Sequence, residues 1–399
     1  MRRVVITGMG TVNALGQDAG TTMAALAAGR PAIAPLEIRD AARLSIRIGA
    51  GVRDWNADAR FSPAELSLYD RATQFALTAG AEAMAGAGLG RAATPDIRAG
   101  VVLGTAGGGL QSAEESYRTV FEAGRDRVHP FTVPRLMHNA ATSALSIRWG
   151  LGGPSFTVAT ACASSNHAIG LAFQMVRAGA ADLMLAGGAD AMLSFAGIKA
   201  WEGLRVLSPD GCRPFCATRN GMVMGEGAAV FVLEARDRAL ARGAGILAEI
   251  AGFGMTSDAA DMVLPNPEGA AAAMRAALDD AGLSPRDIGH INAHGTGTAA
   301  NDRSEASAIH AVFGEGPPVT ATKSLHGHCI GAAGAVELVA CILALRDGVI
   351  APVAGHVAAD PDIGLDLVTG HARKAGVGAL LSNAFAFGGL NAVLALRQG

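Results

Sequence analysis

Short apolar runs and longer alanine-rich stretches alternate along the whole chain. The short runs, bounded by glycine, predict strands at Arg3–Thr7, Gly100–Gly104, Phe156–Ala159, Leu183–Ala186, Ala229–Leu233, Gly289–Ala293 and Ala379–Ser382. The longer stretches predict helices at Thr21–Ala28, Ala72–Ala87, Ser164–Ala178, Ala270–Ala281, Ser304–Phe313 and Ala333–Arg346. This alternation predicts α/β layers with parallel strands. Glycine separates the elements where a proline-rich linker would mark a flexible hinge, so no such hinge is expected.

Three pairs of segments are similar and occur in the same order in both parts of the chain. They are 101–105 with 291–296, the strand-to-helix unit at Cys162 with that at 323–328, and 183–192 with 380–390. The order favours two related halves, 1–245 and 246–399, although glycine-rich strand ends also resemble each other by chance. If the halves are related, their strand ends converge on one central site.

Composition narrows the class of protein. Of 399 residues, 50% are hydrophobic and 17% charged, and the formal net charge is -3 without a basic run, so we expect no nucleic-acid partner. Five scattered cysteines are typical of a reduced intracellular protein and not of a disulfide framework. No signal peptide and no uninterrupted apolar segment of about 18 residues is found, so we expect a cytoplasmic protein that does not enter the membrane.

The segment from Thr157 to Ser165 is an apolar strand that ends in small residues and opens directly into a helix, with Cys162 at the helix N-terminus. The positive end of a helix favours a thiolate and lowers the pKa of a cysteine, which is about 8.5 in the free thiol. This position is therefore suited to a nucleophile. A buried structural thiol remains the alternative.

Two histidine segments add candidate chemistry. His294 follows a strand and enters a Gly/Thr turn, and Lys323 and His328 lie five residues apart before a helix of small residues. His326, His328 and Cys329 also suggest a metal site, but neighbouring residues in a turn diverge and no carboxylate or Cys/His pair lies at a zinc-like spacing. We therefore expect no metal.

The segment from Ser382 to Asn391 combines Phe385 and Phe387 with two glycines after a strand. Such a loop can present backbone N–H groups to an oxyanion while an aromatic ring covers the mouth of a pocket. An ordinary aromatic turn in the core is the alternative.

Taken together, four motifs in this order closely resemble the β-ketoacyl-acyl-carrier-protein synthase family of the thiolase superfamily. They are Thr-Ala-Cys-Ala-Ser-Ser at Cys162, Asn-Ala-His-Gly-Thr-Gly-Thr at His294, Thr-Lys-Ser-Leu-His-Gly-His at Lys323, and Phe-Ala-Phe-Gly-Gly at Phe385. The likeness covers almost the whole chain. It is closest to the type II elongating enzymes, in the nodulation-protein-E-like or specialised polyketide and polyene branch.

The resemblance implies a thiolase-like five-layer αβαβα fold of two duplicated halves. It also implies an acyltransferase that performs decarboxylative Claisen condensation of an acyl group with a malonyl thioester, in fatty-acid or specialised polyketide or polyene elongation. Acyl carrier protein is the implied partner and carries the substrates on its phosphopantetheine arm, so no cofactor is expected. The implied assembly is a homodimer, or a heterodimer with a chain-length-factor-like subunit.

Residue roles follow from the resemblance in the same way. Cys162 would accept the acyl group, His294 and His328 would donate hydrogen bonds to the malonyl thioester oxygen, and Lys323 would hold the catalytic network. The remaining implied positions are Glu305 and Glu337 as ion partners of Lys323, the N–H groups of Cys162 and Phe385 as the oxyanion hole, Phe385 and Phe387 as the gate, Thr296 and Thr298 for pantetheine, and Gly107 in the acyl tunnel.

Some positions depart from the family pattern. Ala386 and Leu390 replace the more common Gly and Thr, and Val263 and Leu264 occupy positions that are often hydroxylic. Gly107 stands where housekeeping enzymes carry a bulky residue, so we hypothesise a longer acyl tunnel. A housekeeping elongation enzyme is the main alternative function. Two other alternative functions are less favoured. A coenzyme A-dependent thiolase would carry a second cysteine in 382–391, and a non-catalytic chain-length factor would lack Cys162.

Overall fold

A computed structural model describes all 399 residues of the chain. Its strands, in chain order, are β1 (Val4–Asn13), β2 (Ala34–Pro35), β3 (Ile48–Gly49), β4 (Ala99–Gly104), β5 (Ser155–Val158), β6 (Leu183–Asp190), β7 (Gly227–Ala235), β8 (Ala248–Ser257), β9 (His290–Asn292), β10 (Val319–Thr320), β11 (Val349–Ile350), β12 (Arg373–Lys374), β13 (Ala379–Ala386) and β14 (Leu390–Arg397).

The α-helices are α1 (Ala19–Ala27), α2 (Pro63–Leu68), α3 (Arg71–Gly86), α4 (Leu110–Tyr117), α5 (Thr132–Leu136), α6 (Ala140–Trp149), α7 (Ser164–Ala178), α8 (Phe195–Gly203), α9 (Arg236–Ala241), α10 (Pro267–Ala281), α11 (Ala299–Phe313), α12 (Lys323–His326) and α13 (Ala333–Asp347). Local sequence explains both ends of α10. The side chain of Asn266 accepts the N–H of Glu268 at the start of α10, and Gly282 ends that helix with a φ of 64°.

Ten strands form one sheet in the order β10-β9-β13-β14-β8-β1-β7-β6-β4-β5. Read outward from its centre, the sheet repeats itself. On each side a long central strand (β1 or β8) lies antiparallel to the next (β7 or β14), a second antiparallel strand follows (β6 or β13), and two parallel strands complete the half. Two of the three similar pairs of segments, 101–105 with 291–296 and 183–192 with 380–390, occupy equivalent places in this pattern. The third pair does not align in this way, because 323–328 contains α12 and precedes the turn Ile330–Ala332 that corresponds to the turn at Cys162. The sheet is mixed, however, and not all parallel as expected, because hairpin and central pairings are antiparallel.

Helices lie in three layers around the two half-sheets. Helices α3 and α6 pack on the outer face of the first half, α10 packs on the second half and against α11, and α7 and α13 lie between the halves. The middle layer is apolar throughout, with α13 buried from Ala333 to Leu345. This arrangement gives the five-layer αβαβα architecture. None of the helices combines the length and hydropathy needed to cross a bilayer.

Candidate active site

Cys162 lies at a sharp turn between β5 and α7. The turn is a single 3-10 segment, Ala161–Ala163, which begins with Ala161 at a φ of 46°, an uncommon backbone conformation for a residue with a side chain. The N–H of Thr160 donates to Ser164 Oγ at 2.8 Å and closes the turn. Because N–H groups in the first turn have no intrahelical acceptor, the N–H of Cys162 is available to a ligand.

Burial, and not the helix, sets the protonation of Cys162. Burial raises the pKa of the thiol to about 12; the Lys323 ammonium opposes this shift and the Asp190 carboxylate adds to it. The expectation of a lowered pKa is therefore wrong, because the loss of water outweighs the helix terminus. The resting protein holds Cys162 as a thiol, so the proton must leave as the sulfur attacks.

His294 enters the site from the end of β9. The backbone N–H groups of His294 and Gly295 each donate to the Glu305 carboxylate at 2.8 Å, which fixes the turn. Nδ1 of His294 lies 3.2 Å from Nζ of Lys323. An ammonium is only a donor, so Nδ1 accepts and the neutral ring carries its proton on Nε2.

His328 enters from the loop after α12. Its backbone N–H donates to the Val223 carbonyl at 2.7 Å, and its Nδ1 accepts the N–H of Ile330 at 3.1 Å. The neutral ring therefore also carries its proton on Nε2, and this buried nitrogen has no hydrogen-bond partner. An N–H group left unpaired in the interior is a donor prepared for a ligand.

Cys162, His294 and His328 converge from the two halves of the chain. One polar atom from each lies within 4.8 Å of the others, and the two imidazole rings are 5.4 Å apart at 81°. Burial first, and then the Lys323 ammonium, hold the pKa of both imidazoles well below the ordinary histidine value. The site thus combines a thiol with two neutral N–H donors.

These three side chains do not suit a metal ion. A metal needs the lone pair of an imidazole nitrogen, but in both rings Nδ1 already accepts a hydrogen bond and Nε2 carries the proton. The Lys323 ammonium next to His294 also repels a cation. The donor set instead favours an oxygen that gains negative charge.

His326 and Cys329, the other candidate ligands near His328, have their own partners. Nδ1 of His326 lies 2.7 Å from the Gly327 carbonyl and Nε2 lies 3.0 Å from Thr322 Oγ1, and Cys329 Sγ lies 3.9 Å from the His326 carbonyl. Both are structural residues of the turn.

Lys323 is fully buried and all three of its ammonium protons have acceptors. Nζ donates to Glu337 Oε1 at 2.5 Å and to the His294 carbonyl at 2.5 Å, in addition to His294 Nδ1. Burial raises the pKa of Glu337 to about 7 against the opposing effect of Lys323. Glu305 is not an ion partner of Lys323, and that expectation is wrong. Its carboxylate accepts the two backbone N–H groups described above and the amide of Asn383 at 3.1 Å.

A cavity of about 110 Å³ is lined by Cys162, His294 and His328. Phe385 closes one side, with its ring 6.2 Å from that of His294. Thr296 and Thr298 lie on the same wall with their hydroxyl oxygens 2.9 Å apart. The outer rim includes exposed apolar side chains. Its members include Val263 and Leu264, which are 44% and 62% exposed, so the cavity reaches the surface.

Gly107 does not line this cavity. Its N–H donates to Asp190 at 3.0 Å, and a Cβ at this position would lie 2.8 Å from Cγ of Met192. Met192 packs on an apolar cluster that contains Cys162, Leu193 and Met222. The position is therefore next to the apolar surroundings of the nucleophile, and the effect of Gly107 on tunnel length stays a prediction.

Two residues of the site, Trp201 and Asp258, were not predicted from the sequence. Trp201 lines the cavity and stacks on Phe387, with ring centroids 5.8 Å apart at 25°. Asp258 accepts the Asn391 amide at 2.7 Å, and its N–H donates to the Gly389 carbonyl at 2.8 Å, so it connects the end of β8 to the turn between β13 and β14. Neither residue belongs to a motif with a recognisable spacing, so only the folded chain brings them to the site.

Comparisons with known proteins agree with this geometry. Residues 1–239 match the model of the β-ketoacyl synthase N-terminal domain and residues 247–356 that of its C-terminal domain. Nodulation protein E of Rhizobium sp. (strain N33) is 46% identical over 403 residues, covering 100% of this chain and 99% of that protein. 3-Oxoacyl-[acyl-carrier-protein] synthase 2 of Staphylococcus aureus (strain COL) is 38% identical over 407 residues, covering 100% and 98%. The solved ishigamide ketosynthase/chain length factor superposes with a TM-score of 0.96 at 36% identity, covering 100% and 99%. The chain belongs to the β-ketoacyl synthase family.

Proposed function

We propose that this chain is a β-ketoacyl-acyl-carrier-protein synthase. It joins an acyl group held on Cys162 to a malonyl group on acyl carrier protein and releases carbon dioxide, in fatty-acid or specialised polyketide or polyene elongation. The observation that carries the proposal is a thiol facing two neutral imidazoles, each with a free Nε2–H, within 4.8 Å. The names of the relatives, which include an acyl-carrier-protein synthase, support the same reaction class.

The first half of the reaction loads the nucleophile. The sulfur of Cys162 attacks the thioester carbonyl of an acyl-carrier protein, and the bond from that carbon to the carrier sulfur breaks. The thiol proton passes to the departing phosphopantetheine sulfur. Backbone N–H groups stabilise the oxyanion that forms in between, and we assign this role to the N–H of Cys162 at the head of α7 and the N–H of Phe385 near the end of β13.

The second half extends the chain. The malonyl carboxylate leaves as carbon dioxide, and its electron pair delocalises onto the thioester oxygen, where Nε2–H of His294 and of His328 donate. The resulting carbanion attacks the acyl carbonyl, and the bond to Cys162 breaks. The thiolate then takes a proton from water, which agrees with its raised pKa. Lys323 keeps Nδ1 of His294 occupied, so the donor tautomer persists.

Other parts of the chain complete the proposal. Thr296 and Thr298 bind the pantetheine arm, and Phe385 and Phe387 gate the cavity. The reaction needs no cofactor bound to this chain, because decarboxylation supplies the carbanion. We place the protein in the cytoplasm and divide it into the halves 1–245 and 246–399.

The partner surface is also part of the proposal. Acyl carrier protein delivers both substrates, and the protein pairs with a second copy or with a chain-length-factor-like subunit. Exposed apolar side chains of the first half support such pairing, since Phe121, Val133 and Ile147 are 80%, 61% and 70% exposed, and Ile147 belongs to α6, which packs against the edge strand β5.

The test is to incubate the protein with a panel of acyl-carrier proteins and malonyl-carrier protein, and to record the mass of intact protein and of products. We expect an acyl adduct on Cys162 and a product that has gained two carbons. Cys162→Ala should lose both, whereas Cys341→Ala, which removes a buried thiol of α13, should retain both. An active Cys162→Ala variant would contradict the mechanism, and a wild-type protein that never acquires the adduct would favour a non-catalytic subunit.

A further inference from the structure

The second half of the chain repeats the turn that carries the nucleophile. The 3-10 turn Ala161–Ala163 precedes the 15-residue α7, and the 3-10 turn Ile330–Ala332 precedes the 15-residue α13. Each turn begins with a left-handed residue, Ala161 at a φ of 46° and Ile330 at 48°. Gly331 therefore occupies the place in the second half that Cys162 occupies in the first.

The N–H of Gly331, unlike that of Cys162, has a built-in acceptor. Asp190, at the end of β6 and completely buried, accepts it at 2.7 Å. The same carboxylate accepts the Thr105 hydroxyl at 2.6 Å and the N–H groups of Ala106 and Gly107 at 3.0 Å each. All four donors are uncharged. A buried carboxylate without a cation is unfavourable unless it is fully hydrogen-bonded, so Asp190 specifically requires these four donors.

The contact is close enough that Gly331 cannot carry a side chain. A Cβ there would lie 2.5 Å from the Ala106 nitrogen and 2.6 Å from Asp190 Oδ2. The loop after β4 and the turn before α13 therefore meet at the Asp190 carboxylate, which belongs to the first half while the turn belongs to the second.

The turn that begins at Ile330 also fixes His328, one of the two hydrogen-bond donors of the site. Ile330 is β-branched, so its left-handed backbone is strained and persists only where neighbouring contacts hold it. Its N–H is the group that donates to Nδ1 of His328 and keeps the proton of that ring on Nε2. Asp190 holds the very next N–H in the chain.

We propose that Asp190 is a positioning residue for the condensation step, which sets the tautomer and orientation of His328 by anchoring the turn at Gly331. The inference rests on the proposed function. Activation of the thiol does not explain the carboxylate, because its negative charge raises the pKa of Cys162. The other charged and titratable groups around that thiol are Lys323, Glu337 and the two imidazoles, and the ammonium is the only one that favours the thiolate.

The test compares Asp190→Asn with Asp70→Asn. Asp70 is a matched control because it is also a buried carboxylate that accepts a hydroxyl and backbone N–H groups, those of Ser112 and Ala72, away from the site. For Asp190→Asn we expect kcat for condensation to fall at least tenfold with little change in KM for malonyl-carrier protein. Alkylation of Cys162 by iodoacetamide at pH 8 should be unchanged or faster, because a negative charge has been removed. The control should change both rates less than twofold.

A ring-level measurement separates this inference from the proposed function. In protein labelled with ¹⁵N-histidine, His328 resonances can be assigned by their loss in His328→Gln. We expect the Nε2–H tautomer in the wild type and a mixture of tautomers in Asp190→Asn, whether or not the protein condenses acyl groups. An unchanged His328 spectrum would overturn the inference, as would a parallel loss of alkylation and condensation or an equal loss in the control. If Asp190→Asn does not fold, Thr105→Val replaces it as the test variant, because it removes one donor to the Asp190 carboxylate. We expect the same tautomer change and a two- to fivefold loss of kcat in Thr105→Val. Wild-type behaviour of this variant would overturn the inference.

Discussion

Removal of the Lys323 ammonium should test both the stability and the chemistry of the site. Lys323→Met leaves three buried acceptors without their donor: the Glu337 carboxylate, the His294 carbonyl and His294 Nδ1. The second oxygen of Glu337 already lacks a partner. The variant therefore contains a buried carboxyl group that can ionise only without a counter-ion, and a His294 ring whose tautomer is no longer fixed.

The magnitude follows from the burial of the pair. Both side chains have no exposed surface, and breaking a buried ion pair by removing one partner costs about 3–5 kcal/mol. At about 2.1 cal/mol/K per residue, the unfolding entropy of 399 residues is about 0.8 kcal/mol/K, so Tm should fall by about 4–6 °C.

The loss should also depend on pH, with a defined sign. The pKa of Glu337 is raised in the folded state, to about 7 even with Lys323 present, and removal of the ammonium raises it further. A raised carboxyl pKa leaves stability intact below the unfolded value, near 4.3, and removes stability as pH rises through the folded value. The wild type loses this contribution in parallel up to about pH 7, so the Tm deficit of the variant should stay constant from pH 5 to about pH 7 and grow from there to pH 8.

Thermal unfolding followed between pH 5 and pH 8, together with a condensation assay, checks these expectations. Arg373→Met, which breaks an exposed pair with Asp366, is the control and should shift Tm by less than about 1 °C. The double variant Lys323→Met/Glu337→Gln should recover most of the lost stability but not condensation. An unchanged Tm at pH 8 in the single variant, or restored condensation in the double variant, would refute the reasoning.

Three further changes probe the nucleophile, the donors and the acyl pocket. His328→Ala removes the unpartnered Nε2–H, so malonyl decarboxylation should fall by about 10²–10³-fold while acylation of Cys162 is reduced far less; equal losses in the two assays would contradict this role. The rate of Cys162 alkylation should rise about tenfold per pH unit from pH 7 to pH 10, because its raised pKa keeps the thiolate scarce, and a plateau near pH 8 would argue for an activated thiolate. Gly107→Ile must displace Met192 and should shorten the products, so an unchanged product-length distribution would count against a tunnel at this position.

Sequence patterns located the elements that local composition determines. The helix predicted at Ser164–Ala178 has these bounds in the structure, since small residues start it and Gly179 ends it at a φ of 79°. Strand β14 was missed because Leu390–Arg397 contains alanines and leucines that also suit a helix, and only pairing with β13 and β8 selects the extended form. Long-range pairing therefore decided what local propensity left open.

The candidate site could also be predicted only in part from the sequence. Motifs identified Cys162, His294, Lys323 and His328, which the fold brings together, but motifs carry no information about solvent. The pKa of Cys162 was therefore predicted in the wrong direction, because the helix terminus is visible in the sequence and the depth of burial is not. Glu305 was paired with the wrong partner for a similar reason, since the N–H groups that donate to its carboxylate depend on how the His294 turn folds.

The meeting of both halves at one sulfur also has a consequence for synthesis of the chain. A ribosome releases Cys162 well before His294 and His328, so the thiol-bearing half emerges without the imidazoles that the condensation requires. We expect condensation to begin only after the later half has folded against the first. The appearance of activity therefore indicates that the whole chain has folded.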